Sequence, residues 1–238
     1  MTLSTSFGNH PMSSADPQLK TGQTILKTDL FGHIYLERTA EQHEARPVIV
    51  RDLRSARWWT LPLARMLANR EARALAALPH SPALPALLSW DKCSLRRTFV
   101  DGEPMQAVKP RDPEYFRSAR TLLRSLHKAG VVHNDSAKEP NWLVQPDGTA
   151  GLVDFQLAGV FHKRSRLFRV LAMEDVRHLL KHKRSYIPEH LTARERRILD
   201  TPALHSRLWR QTGKRLYLFI TRRILHWSDR EGANDRQL

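Results

Sequence analysis

Val131–Ala158 reads VVHNDSAKEPNWLVQPDGTAGLVDFQLA, and the order of its polar residues governs how the rest of the chain is read. Two short apolar runs, Trp142–Val144 and Gly151–Val153, flank the turn signal Pro146-Asp147-Gly148, which predicts a small hairpin. Asn141 stands at the start of the first strand and Asp154 at the end of the second, so the hairpin brings both to one mouth. A carboxylate and an amide oxygen there suit Mg²⁺, which takes few protein ligands and completes its octahedron with water and phosphate. Asp135, in the preceding loop, is placed to accept a proton from a hydroxyl that attacks a bound phosphate. Lys138 in the same loop is suited to neutralise charge on the transferred group. His133 reads as a scaffold histidine that bonds the backbone, rather than as an acid or base.

Outward from this stretch, the two halves of the chain differ in texture. Residues 1–20 are rich in Ser, Pro and small polar types and read as a loose tail. Thr24–Glu37 predicts two short strands joined around Asp29–Gly32, and Arg46–Leu53 a third with Val48, Ile49 and Val50 as a buried run. Leu61–Leu78 predicts a helix, with Pro62 in its first turn and Pro79 after its end. Leu84–Trp90 and Leu95–Val100 read as two further strands, followed by the turn Asp101–Gly102. Beyond it the chain becomes mainly helical: Pro113–Ala129 with Gly130 as its stop, then roughly Leu167–Lys181, Thr192–Leu199 and Lys214–Trp227. The expected organisation is therefore α+β: a tail over 1–20, a mostly β unit with one long helix over 21–102, and a mainly helical unit over 103–238.

His133-Asn134-Asp135, Asn141 and Asp154-Phe155-Gln156 resemble the H-R-D…N…D-F-G set of protein-kinase-like folds. The variant is most similar to atypical bacterial kinases, the RIO-like group and the lipopolysaccharide-core (Kdo/heptose) kinases, and the upstream order of elements agrees over residues 24–158. The resemblance implies a bilobal kinase-like fold, ATP and Mg²⁺ as cofactors, Asp135 as base and Asn141 with Asp154 on the metal. It makes Glu71 the helix glutamate that pairs with a basic strand residue, here Arg51, to place phosphates. Gly32 would sit in the phosphate turn, and the hinge Phe99–Gly102 would offer the backbone of Val100 and Asp101 to adenine. Glu71 fits independently, because a carboxylate within the stripe Leu67, Leu75 and Leu78 needs a partner. Several features depart from the usual pattern: arginine replaces lysine at 51, one glycine replaces several, Asp135 to Asn141 is one step longer, Gln156 replaces glycine, and Ala-Pro-Glu is missing. The atypical groups also lack an ordinary activation segment and peptide platform, which the missing Ala-Pro-Glu implies here.

Composition narrows the partners. The 238 residues are 41% hydrophobic and 26% charged, an ordinary globular balance that excludes collagen-like and disulfide-rich classes. One cysteine, Cys93, excludes an internal disulfide and a cysteine-based zinc site. No secretory signal or membrane-spanning run is read, so a cytoplasmic protein is expected. The net charge of +15 is concentrated in residues 159–238, which hold 19 basic and 8 acidic residues. That field favours anionic partners. His178–Arg184 and Lys214–Trp227 read first as a solvated helix end and a core-closing helix, and second as grips for an anionic acceptor or membrane face. The expected acceptor is a protein Ser/Thr or an anionic lipopolysaccharide-core sugar at the inner membrane face. The alternative is a non-catalytic pseudokinase, a basic module for anionic membrane or, less in keeping with the motif, nucleic acid.

Overall fold

A tight turn at Leu30-Phe31 starts the first sheet, joining β1 (Gln23–Asp29) to β2 (Gly32–Glu37) with Asp29 opposite Gly32. Gly32 has φ +118°, and a Cβ there would collide with the Asp52 carbonyl, so both backbone freedom and close approach require glycine. This glycine is thus fixed by strand packing, whatever else passes near it. The computed structural model describes residues 22–38 and 47–200. β3 (Val48–Asp52), β4 (Leu87–Trp90) and β5 (Ser94–Thr98) complete an antiparallel sheet of order β1-β2-β3-β5-β4. Ile49 and Val50 are buried in it and Val48 is half-buried. β4 begins three residues later than Leu84, which is buried in the turn before it.

Across the sheet lies α1 (Leu61–Ala77), whose buried residues are Ala64, Ala68, Glu71, Ala72, Ala74 and Leu75. The stripe differs from the expected one: alanines fill it, while Leu67 and Leu78 are only half-buried. Small side chains let the helix approach the strands closely, with Leu53 and Leu95 packed against Ala64, Ala68 and Ala72. Close approach is what carries Glu71 into the interior.

The chain continues through β6 (Glu103–Pro104) and α2 (Met105–Val108) into α3 (Pro113–Lys128). Asp112 caps α3 by accepting the Glu114 amide at 2.8 Å. Tyr115, Phe116, Ala119, Leu122, Leu123 and Leu126 form its buried face, and Gly130 with φ +78° ends it. β7 (Val131–Val132), β8 (Trp142–Val144), β9 (Ala150–Leu152) and β10 (Gly159–Val160) follow. β8 pairs antiparallel with β9 and β6, and β7 with β10. α4 (Arg166–Tyr186) runs five residues beyond the expected end at Lys181, capped by Ser165, and α5 (Ala193–Asp200) packs against it. A large apolar cluster joins α3, the β8–β9 hairpin and α4 through Leu123, Trp142, Leu152, Phe155 and Leu179.

The fold is therefore mixed α and β with antiparallel sheets, as the sequence implies at that level. No helix among the described residues is long and apolar enough to cross a membrane. The 1–20 tail and the helix expected over Lys214–Trp227 lie outside the described residues. Gly32→Ala is expected to cost about 2 kcal/mol, from strained backbone and collision together, and to lower the thermal midpoint by several degrees.

Candidate functional site

The loop between β7 and β8 hangs on one buried side chain that the sequence reading passed over. Asp175 of α4, fully buried, accepts the backbone amides of His133 at 2.8 Å and Asn134 at 3.1 Å, and the Ser136 hydroxyl at 2.9 Å. His127 of α3 shares Oδ2 with the His133 amide, at 3.3 Å. Burial alone would raise the Asp175 carboxyl; the His127 bond, the charge of His133 and the loop's hydrogen bonds together hold it below its ordinary value. Three further α4 groups complete the clamp. His182 meets the Ser136 carbonyl at 3.0 Å, His178 meets the Ser136 hydroxyl at 3.3 Å, and Tyr186 donates to Glu139 at 2.6 Å. The segment read as a solvated end is thus partly internal: His182 is buried and Lys183 pairs with Glu195 at 2.8 Å, leaving Lys181 and Arg184 exposed. His133 itself is buried, with Nε2 2.9 Å from the Val153 carbonyl.

Within this frame the expected residues come together. Asn141 donates through Nδ2 to the Asp135 carbonyl at 3.0 Å and to its Oδ2 at 3.1 Å. Lys138 Nζ lies 3.0 Å from the same Oδ2. The Asn141 carbonyl accepts the Val153 amide at 2.9 Å, so the backbone of Asn141 lies beside the residue preceding Asp154. Asp154 has φ +65° and Asn134 φ +62°, left-handed conformations that asparagine and aspartate tolerate best after glycine. Gln156 donates to Asp154 Oδ1 at 2.7 Å. Asn141 Oδ1 and Asp154 Oδ2 carry no hydrogen bond among the described residues, and both are hard oxygens of the kind Mg²⁺ takes. Among the described residues no group of three or more His, Cys, Asp or Glu gathers to hold a metal.

Glu71 is fully buried between two arginines rather than one. Arg51 Nε is 3.6 Å from Oε2, and Arg97 Nε, from the neighbouring strand β5, is 3.1 Å from Oε1. Neither carboxylate oxygen has a well-aligned hydrogen bond among the described residues. Two permanent cations thus face one anion, leaving an excess positive charge at the inner face of the sheet. The alternation Leu95, Arg97 along β5 was the sequence signal for this second arginine. In the link from β5 to β6, Val100 is buried and Asp101 exposed, and their peptide groups make no hydrogen bond among the described residues. A small cavity lined by Phe116, Leu123, Leu179 and Ile198 lies between α3, α4 and α5, away from these groups.

No family model matches the chain, and no curated protein matches it either.

Burial lowers the pKa of both His178 and His182 from the ordinary 6.5. The unfolded chain then binds more protons than the folded one just below pH 6.5, so stability falls as pH drops through that value. A second loss begins below the ordinary 3.8 of Asp175, whose folded pKa is lower still. Urea unfolding across pH 5–8 is expected to show the first slope, and His182→Gln to flatten it.

Proposed function

We propose that the chain is an atypical kinase with a bilobal protein-kinase-like fold, transferring the γ-phosphate of Mg·ATP to a hydroxyl of a protein Ser/Thr or of an anionic lipopolysaccharide-core sugar. The observation that supports it best is the loop in which Asn141 is tied to both the carbonyl and the carboxylate of Asp135 while its backbone adjoins the Asp154 turn. These three residues, in this order and with the loop around Asp135 anchored on the buried Asp175, have poor separate explanations as a turn, a cap and a strand end.

In this reading the donors on Asp135 Oδ2 leave Oδ1 to accept the proton of the attacking hydroxyl. Lys138, also on Oδ2, orients that carboxylate and offers positive charge to the transferred group. Asn141 and Asp154 would hold the metal ion, which neutralises phosphate charge when bound. Arg51 and Arg97 take the phosphates that a glycine-rich loop would otherwise cradle, with Glu71 between them balancing one of the two charges. The peptide groups of Val100 and Asp101, unbonded among the described residues, suit an adenine edge. A basic surface without a peptide platform suits an anionic acceptor.

Transfer of label from γ-labelled ATP into cell extract, split into protein and glycolipid fractions, tests this. Label is expected with the natural chain and a loss of at least a thousandfold with Asp135→Asn; the labelled fraction identifies the acceptor class. No label in either fraction from a folded chain would support the non-catalytic reading, which Arg51 at the lysine position favours. Arg97→Gln is expected to raise KM for ATP about tenfold with a smaller change in kcat, since it removes one charged contact to the nucleotide.

A further inference from the structure

We propose that the turn Arg57–Thr60 and the first turns of α1 form a docking surface for an anionic phospholipid bilayer. Trp58 is 85% exposed, Trp59 41%, Leu63 42% and Met66 48%. A tryptophan this exposed forgoes nearly all the transfer energy its ring would gain by burial, and no packing among the described residues asks for it there. The patch is rigidly mounted. Thr60, itself buried, donates through its hydroxyl to the Leu30 carbonyl at 2.5 Å and the Arg57 carbonyl at 2.9 Å. The Arg57 amide also bonds the Leu30 carbonyl, at 3.3 Å, which adds the exposed Leu30 side chain at the hairpin tip.

Charge selects the partner. From Leu53 through Arg70 the chain holds four arginines and no Asp or Glu. Arg57 and Arg65 are exposed and have no acidic partner among the described residues; Arg54 reaches Asp52 and Asp91 only at 3.9 Å. The first turn of α1 carries no acid, so its positive end adds to the field. Tryptophans at headgroup depth, aliphatic side chains beneath them and arginines on lipid phosphates are the combination an anionic bilayer binds. Tryptophan, methionine and arginine also suit a protein interface, but one of that kind sets acids among its arginines, and Leu53 through Arg70 hold none. A single-stranded nucleic acid would stack on the rings but leave Leu30, Leu63 and Met66 without a role. The inference stands apart from the phosphotransfer reading, because none of these residues touches Asp135, Asn141, Asp154 or Glu71.

The test is flotation of the full chain with vesicles of phosphatidylglycerol and phosphatidylethanolamine, against phosphatidylcholine alone. Binding is expected to the anionic vesicles only and to weaken with salt. Trp58→Ser with Trp59→Ser is expected to reduce it at least tenfold at an unchanged thermal midpoint, and Arg57→Gln with Arg65→Gln by roughly tenfold or more. A parallel variant, Lys214→Gln with Arg215→Gln, Arg222→Gln and Arg223→Gln, checks the other basic segment. The proposal is overturned if the tryptophan variant floats like the natural chain, if only the 214–223 variant loses binding, if neutral vesicles bind equally, or if the chain binds single-stranded RNA through these residues and no vesicle.

Discussion

An ionised carboxylate with no exposure to water costs several kcal/mol unless donors replace its hydration. Asp175 meets that requirement with groups from two places: an imidazole on α3, and two peptide amides and a hydroxyl of the β7–β8 loop. The dependence runs both ways. Without the loop the acid is stranded, and without the acid the Asn134 backbone has little to hold it in a left-handed conformation. The placement of Asp135, Asn141 and the Asp154 turn follows from this mutual need, with Trp142 and His182 both bonding the Ser136 carbonyl to tighten it.

Glu71 repeats the logic at the sheet. Its helix approaches the strands on alanines, and the resulting burial is tolerable only because Arg51 and Arg97 arrive from adjacent strands. Each buried acid thus ties one helix to one constellation: α1 to the cationic pair, α4 to the loop. The two differ in saturation. Asp175 is surrounded by well-formed hydrogen bonds, whereas Glu71 is balanced by charge alone and has more cation than it needs.

The strands and helices were legible because their signals are local: alternation before β2 and β3, proline at the start of α1, glycine after α3. The order of polar residues in Val131–Ala158 also led to the loop cluster, because a hairpin with a short turn forces its ends together. Asp175 and Arg97 escaped for a shared reason. Their partners lie 42 residues away in His133 and 26 residues away in Glu71, and no local period records such a pairing. The criterion that singled out Glu71, an acid on an apolar helical stripe, applies equally to Asp175 with Phe168 and Leu179 on its face. His182 was misread for the opposite reason: the basic run around it looks solvated, although only part of that run faces water. Leu67 shows the limit of hydrophobicity as a guide, since alanine takes the closest contact and the larger leucine is displaced toward the edge.

The clamp on the loop comes from a helix that lies later in the chain, and this imposes an order on biosynthesis. The first sheet has all its strands once Thr98 has been made, and α1 can settle on it at once. The loop cannot be fully assembled until residues 175–186 have left the ribosome, because the His133 and Asn134 amides and the Ser136 hydroxyl find Asp175 only then. During that interval the nascent chain carries every residue of the cluster in sequence and none of its geometry. A polypeptide cut off ahead of Met173 would retain Asp135, Asn141 and Asp154 but not the helix on which the loop around Asp135 is anchored.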